Sequence, residues 1–300
     1  MENNFEKYAG FRSGFVMLGG APNVGKSTLL NRMLGEKISI TSEKAQTTRN
    51  RILGILHRPK SQLIFLDTPG VHRAKSELNL RMVDIALSSM SEADLIVFIT
   101  DLTRPDPDAE KIIVEKLQKQ RRPVILVLNK TDLVKKNMIL PIMERWNAAY
   151  PFRTVIPVSA ISGDMVDVLL DEMEKVLPEG PPLFPEDAIT DMPERFIVGE
   201  MVREKVFRLT GQEIPYSTAV TVESFSETEK LITIHATIHV EKDSQKGIII
   251  GKQGQKLRLI GESARKDIER MLGVQVFLKL FVRVQKNWSR DTKSLRKFGY

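Results

Sequence analysis

The sequence contains no cysteine. Disulfides, thiolate nucleophiles and cysteine-ligated zinc are therefore excluded, and a reducing cytoplasm is the expected compartment. No run approaches the ~20 apolar residues that cross a bilayer. Met1 to Gly14 is polar and lacks the apolar centre of a leader peptide, so none is expected. There is no fixed-period repeat and no low-complexity tract, which leaves neither a collagen nor a coiled-coil rod. What is present is ordinary for folded protein: 300 residues, 42% hydrophobic and 28% charged. That length suits about two domains.

The charge is unevenly placed. Net charge is +7 overall, yet Lys242 to Tyr300 holds fifteen basic against five acidic residues, a net +10, leaving −3 for the remainder. Such asymmetry points to a polyanionic partner at one end, nucleic acid first and anionic membrane second. A basic surface that binds nothing is the plain alternative.

Pro178, Pro181, Pro182, Pro185 and Pro193 punctuate one stretch that also holds Gly180, Glu186 and Asp187. Proline continues neither helix nor ladder, so residues 181–194 read as a linker between residues 1–180 and 195–300. In the first part, continuous apolar runs end on polar or glycine residues: Phe15–Leu18, Leu63–Leu66, Leu95–Ile99, Val124–Leu128 and Val155–Val158. Runs of this kind are strands buried on both faces, which predicts an α/β domain with a mostly parallel sheet and helices on both faces. The second part reads helix, strand, strand, short helix, helix, strand, a smaller α+β domain. Ile232 to Val240 and Val274 to Val284 alternate with period two, and Leu257, Ile260, Ala264, Ile268 and Met271 mark one helix face closed by Gly273.

The first strand leads into Gly20-Ala21-Pro22-Asn23-Val24-Gly25-Lys26-Ser27, followed by Thr28. This is the GxxxxGK[ST] phosphate loop between a strand and a helix. Its glycines let backbone N–H groups converge on phosphate oxygens. Lys26 supplies charge for the β- and γ-phosphates, and the Ser27 hydroxyl is a Mg²⁺ ligand. Asp67-Thr68-Pro69-Gly70 follows the next strand; Asp67 can hold Mg²⁺ through water and the Gly70 N–H can meet the γ-phosphate. Asn129-Lys130-Thr131-Asp132 follows another strand. A carboxylate at Asp132 accepts from both N1–H and the exocyclic amine of guanine, donors that adenine does not pair, so GTP is selected over ATP. Ser159-Ala160-Ile161 can present an N–H to the guanine O6. Each motif is weak alone; their order at successive strand ends makes the set specific.

Together these residues resemble the Era-type branch of the translation-factor-like P-loop GTPases over about residues 14 to 177. The resemblance places Lys44 to Thr48 in the first switch, with Thr48 the second Mg²⁺ hydroxyl and Thr47 its alternative. The metal set is then Ser27, Thr48 and Asp67, and the catalytic set is Lys26, Thr48, Gly70 and Asn23. Val71 stands where Ras-like proteins carry the water-orienting glutamine, so in-line attack is arranged otherwise. Asn23 resembles the loop asparagine that holds K⁺ in related GTPases, which implies slow, K⁺-assisted hydrolysis; the alternative is that Asn23 only shapes the loop. Ala21 departs from the arginine that relatives often carry.

At the basic end, Gly251-Lys252-Gln253-Gly254 joins two apolar helical stretches and resembles the GxxG loop of a type II KH domain. Lys256 and Arg258, with Lys252, supply phosphate-binding charge, and an adjacent apolar groove would hold splayed bases. A helix corner needing glycine only for packing is the plain alternative. On the last strand Gln275, Phe277, Lys279, Phe281, Arg283 and Gln285 interleave aromatic and basic residues. That is either a stacking platform or core packed under helices. The tail Lys286 to Tyr300 either folds over bound RNA or stays mobile. His235 and His239 read as ordinary strand residues, not a metal site. With the KH-like end included, the resemblance spans nearly the whole chain. It implies GTP/GDP and Mg²⁺ as ligands, and small-subunit (16S) ribosomal RNA near its 3′ end as partner. The implied role is ribosome maturation, as a cytoplasmic monomer whose nucleotide state gates RNA binding. The alternative is a GTPase switch whose basic domain makes a peripheral contact with anionic membrane at the inner face of the cell.

Overall fold

The computed structural model describes residues 8–42, 44, 46–73, 77–211 and 214–300. They form two compact units. The first holds six strands: β1 (Arg12–Gly20), β2 (Ile52–Arg58), β3 (Ser61–Asp67), β4 (Leu95–Asp101), β5 (Val124–Asn129) and β6 (Thr154–Val158). The sheet order is β2-β3-β1-β4-β5-β6. Only β2 runs antiparallel, to β3, so the expected mostly parallel sheet is what forms. Strands β3, β4 and β5 are buried at every residue, which is why their sequences do not alternate.

Helices α1 (Lys26–Leu34), α2 (Glu77–Glu92), α3 (Pro107–Leu117), α4 (Ile139–Ala149) and α5 (Val166–Val176) complete this unit. Ala86, Met90, Ile113, Leu117 and Trp146 from α2, α3 and α4 pack with Met17, Ile96, Phe98 and Leu126 on one sheet face. The α1 side lies on the other, where Leu30 and Leu34 close over Gly54. Asp106 caps α3 by accepting from the Ala109 N–H, with Pro107 in the first turn. Because β1 lies between β3 and β4, its C-terminal end is a topological switch point. Part of the proline-rich stretch runs along this unit: Gln62 receives the Leu183 and Phe184 N–H groups, and Ile55 N–H donates to Ile189 O.

Of the described residues, the second unit contains 192–211 and 214–300 together with 40–42, 44, 46–47 and 77–78. Its elements are α6 (Glu194–Leu209), β7 (Ala219–Glu227), β8 (Leu231–Val240), α7 (Asp243–Ile250), α8 (Gln255–Leu272), β9 (Gln275–Val284) and α9 (Thr292–Lys297). The sheet order is β7-β8-β9, with β8 and β9 parallel. Ile234, Ile238 and Val240 of β8 and Val276 of β9 pack against Ile197, Val202, Ile260 and Ile268 of the helices. Gly273 ends α8 in the left-handed region at φ 71°, as its C-cap.

Two features differ from the sequence reading. The apolar stripe of α6 is buried as expected, but so are Glu200, Arg203, Glu204 and Lys205. Arg203 pairs with Glu200 and also donates to Thr47 O, Glu204 accepts from Thr41 N, and Lys205 instead pairs with Asp267 of α8. At the end of α6, Arg208 donates to Thr41 O at 3.1 Å and Lys44 Nζ to Phe207 O and to Thr210 O at 2.5 Å. The tail does not hang free. Trp288 is fully buried, its Nε1–H donates to Ser217 O at 3.0 Å, and Phe298 and Tyr300 pack on its ring. Trp288, Leu295 and Phe298 together fasten this 15-residue basic segment. Among the described residues no helix is long and apolar enough to cross a membrane, and no cluster of three metal-ligating side chains occurs.

Candidate nucleotide and nucleic-acid sites

The β1–α1 loop wraps the switch point. Asn23 takes φ 64° and Gly25 φ 101°, which turn successive backbone amides inward. A Cβ at Gly25 would run into the Asn129 amide, and one at Gly70 would meet Pro22 N at 2.6 Å. Gly25 is required by its left-handed φ and the Asn129 side chain, Gly70 by the closeness of Pro22 backbone. Pro22 and Thr28 are half-buried, Ala21 and Val24 buried, and Asn23 exposed. Lys26 is buried inside this loop and donates to Gly20 O at 3.2 Å and Ala21 O at 2.8 Å. Burial lowers its pKa to about 8, against the opposing attraction of Asp67.

Ser27, Thr48 and Asp67 converge. Ser27 Oγ donates to Asp67 Oδ2 at 2.7 Å and lies 2.8 Å from Thr48 Oγ1. Thr47 instead turns away and donates to Lys44 O, so Thr48 is the hydroxyl brought to the site. Ser39, which no motif signals, also donates to Asp67 Oδ2 at 2.7 Å. Asp67 is fully buried and its pKa is raised by that burial, against the hydrogen bonds from Ser27 and Ser39. Its Oδ1 is buried without a hydrogen-bond partner. An orphaned carboxylate oxygen beside two hydroxyls is an all-oxygen donor set, which fits Mg²⁺. Thr68 Oγ1 donates to Leu18 O, tying the loop after β3 back to β1. Val71 is completely buried and its N–H donates to Gly20 O at 3.1 Å, so its side chain takes no part in aligning water. Pro69 and Gly70 are buried beside it.

The loops after β1, β5 and β6 are tied by Asn129. Its Nδ2 donates to Val24 O at 2.7 Å and its Oδ1 accepts from Ala160 N at 3.0 Å. Asn129 is thus a brace across three loops, and the Ala160 N–H is engaged by it. Ser159 is buried, with Oγ accepting from Ser162 N. Lys130 takes φ 70° and pairs with Asp101. Thr131 is half-buried, whereas Asp132 is exposed in the following turn.

In the second unit, Gly251 (φ 71°), Gln253 (φ 52°) and Gly254 (φ 78°) make the corner between α7 and α8. A Cβ at Gly251 would meet Lys256 Cβ at 2.7 Å. Lys252 and Gln253 are exposed, Lys256 half-exposed, and Arg258 is paired with Glu262 at 2.8 Å. Beside the corner lies an open groove of about 520 Å³ whose walls include Leu257, Gly261, Phe277 and Leu280. This is the corner-plus-groove geometry of a KH domain.

Comparison with known proteins decides the family. Residues 15–130 match the family described as 50S ribosome-binding GTPase, and residues 213–289 match the KH domain. The GTPase Era of Geotalea uraniireducens is 56% identical over 291 residues, covering 97% of this chain and 98% of the relative. The chain belongs to the Era family of GTPases. The Era of Geobacter sp. strain M21 is 58% identical over 292 residues, 97% of this chain and 98% of that relative. A crystal structure of Era with MgGDPNP and nucleotides 1506–1542 of 16S ribosomal RNA superposes with TM-score 0.93 at 42% identity, covering 97% of this chain and 99% of the other. A variant of Aquifex aeolicus Era bound to GDP·AlF₄⁻ matches equally well, with the same TM-score of 0.93. The Era-family GTPase domain followed by a KH domain is thus what the sequence motifs implied. Ser39, Thr41 and the buried charges of α6 are what they missed; no short motif announces them.

Proposed function

We propose that this Era-family chain binds and hydrolyses GTP. Its nucleotide state gates binding of single-stranded 16S ribosomal RNA near the 3′ end, in maturation of the small ribosomal subunit. The observation that carries the gating is a division along one short stretch. Thr48 sits at the Ser27–Asp67 cluster, while residues of the preceding 40–47 segment are fastened to α6 in the RNA-binding unit. Whatever draws Thr48 toward a metal pulls on that fastening.

The roles assigned are as follows. Backbone amides of Gly20 to Thr28 cradle the phosphates, and Lys26 neutralises the charge that grows on the γ-phosphoryl group. Ser27, Thr48 and Asp67 hold Mg²⁺, which supplies Lewis-acid charge at the phosphate oxygens. The Gly70 N–H meets the γ-phosphate. Asp132 reads guanine, held in place by the Asn129 brace and by Lys130. Gly251, Lys252, Gln253, Gly254, Lys256 and Arg258 receive the RNA backbone, and the groove takes the bases. The division into residues 1–180, a 181–194 linker and 195–300 is part of the same proposal, as is a monomer acting in the cytoplasm. Asn23, exposed and left-handed in the loop, is the residue assigned to K⁺; equal turnover in K⁺ and Na⁺ removes that role.

The test is direct. The chain loaded with a non-hydrolysable GTP analogue, and separately with GDP, is titrated with RNA of 16S nucleotides 1506–1542. Distinct affinities are expected, and equal ones refute gating. Flotation with anionic liposomes in parallel checks the peripheral-membrane alternative.

A further inference from the structure

The sheet of the second unit has one face packed under helices and one face open. Phe277 and Phe281 of β9 point to the open face and are 54% and 45% exposed. The register sets Phe277, Lys279, Phe281 and Arg283 against Thr233, His235, Thr237 and His239 of β8. Ser226, Ser224 and Thr221 of β7 continue those rows. Short hydroxyl neighbours leave the two rings standing clear of the sheet. His235 meets the Phe281 ring edge-on at 6.3 Å, and Lys279 Nζ lies 5.3 Å from its centroid. The far end is closed, because Phe298 of the tail packs on His239 at 4.5 Å.

Phe277 belongs to both surfaces: it also walls the groove beside the Gly251–Gly254 corner. A strand leaving that groove over the β9 edge therefore arrives on the open face. There the two rings are separated by four residues, roughly 13 Å along the strand. Between and beyond them stand two cations, Lys279 and Arg283. The acid beside these rows, Glu223, accepts a hydrogen bond from Thr221 at 2.9 Å. Isolated rings among hydroxyl and imidazole groups do not form the broad apolar stripe that a bilayer takes. They do form what unpaired bases take, a π-face next to a cation for the phosphate.

We propose that this face is a second subsite for single-stranded RNA, on which bases stack at Phe281 and Phe277 after the strand leaves the groove. The inference rests on the RNA-binding reading above and extends it from one face of β9 to the other.

The test uses the full chain with a GTP analogue and RNA of 16S nucleotides 1506–1542. The protein's own tryptophans, Trp146 and Trp288, are buried. A Phe281→Trp variant therefore reports on the platform, and RNA should quench its added fluorescence. Phe281→Ala should weaken RNA binding about 5- to 100-fold. Phe281→Trp should retain parental affinity, and GTP turnover should not move in either variant. If the parent binds RNA but the Phe281→Trp signal is silent and Phe281→Ala binds normally, the platform is refuted while the groove stands. If Phe281→Ala loses only liposome flotation, the face is a membrane contact and the proposal fails. If the parent itself does not bind this RNA, the RNA-binding reading falls and takes the platform with it.

Discussion

At the scale of single residues, the nucleotide site is built from groups held against their solution preferences. Lys26 has its pKa lowered to about 8 because burial disfavours its charged form. A lysine so depressed costs folding free energy wherever the unfolded side chain is charged. The cost is fully present below about pH 8 and fades as pH rises toward 10.5. Lys26→Met should therefore abolish GTP binding. The thermal midpoint of the nucleotide-free variant, relative to the parent, should be higher at pH 7 than at pH 10. A difference that does not shrink with pH contradicts this account. Asp132 offers a second residue-scale test. Asp132→Asn replaces an acceptor with a donor opposite the guanine N1–H and amine. Affinity for GTP should fall by about 100-fold or more while affinity for xanthosine triphosphate rises, read by competition binding. At Gly70 a new methyl group would press on Pro22 backbone. Gly70→Ala should lose the preference for GTP analogue over GDP with GDP affinity nearly kept.

At the scale of elements, the tail and the loop brace show how single side chains organise segments. Trp288, Leu295 and Phe298 pack the tail against the second unit, with Phe298 on His239 of β8 and the indole N–H satisfied by Ser217 O. Trp288→Ala should destabilise the second unit by about 3–5 kcal/mol, seen as an earlier unfolding step by calorimetry. A change below about 1 kcal/mol would mean the tail is not part of that core. His239 beneath Phe298 has its pKa lowered to about 4, mainly by burial, so it stays neutral at physiological pH and adds no switch there. The period-two pattern of β9 had both of its faces visible in sequence. Which face the helices covered was not, because alternation specifies two sides without naming the inside one.

At the scale of the whole molecule, charge placement sets how RNA affinity responds to salt. Lys252, Lys256 and Arg258 alone would give a log–log slope of about −2 for a single strand, and adding Lys279 and Arg283 would bring it to about −3.5. Measuring that slope for the parent and for a Lys279→Gln, Arg283→Gln variant separates one surface from two. Lys44, fastened to the C-terminal carbonyls of α6, has its pKa lowered by burial. Lys44→Ala should leave GTP turnover within about twofold while narrowing the difference in RNA affinity between GTP-analogue and GDP forms. An unchanged difference would remove Lys44 from the coupling.

Much of this protein was legible in its sequence because the relevant physics is local. A phosphate loop needs particular backbone turns next to a lysine, so Gly20 to Ser27 announces itself. Buried parallel strands need unbroken apolar runs, and a C-cap needs glycine, so the five parallel strands and the element order of the second part could be read directly, whereas the antiparallel edge strand β2 gave no such run. Tertiary structure alone decided what depends on residues far apart in sequence. It chose Thr48 over Thr47, brought Ser39 to Asp67, turned Asn129 into a brace, buried Glu200, Arg203 and Glu204 under the 40–47 segment, and exposed Phe277 and Phe281. Each of these is a choice between two sides of an element. Only packing against distant chain breaks that symmetry.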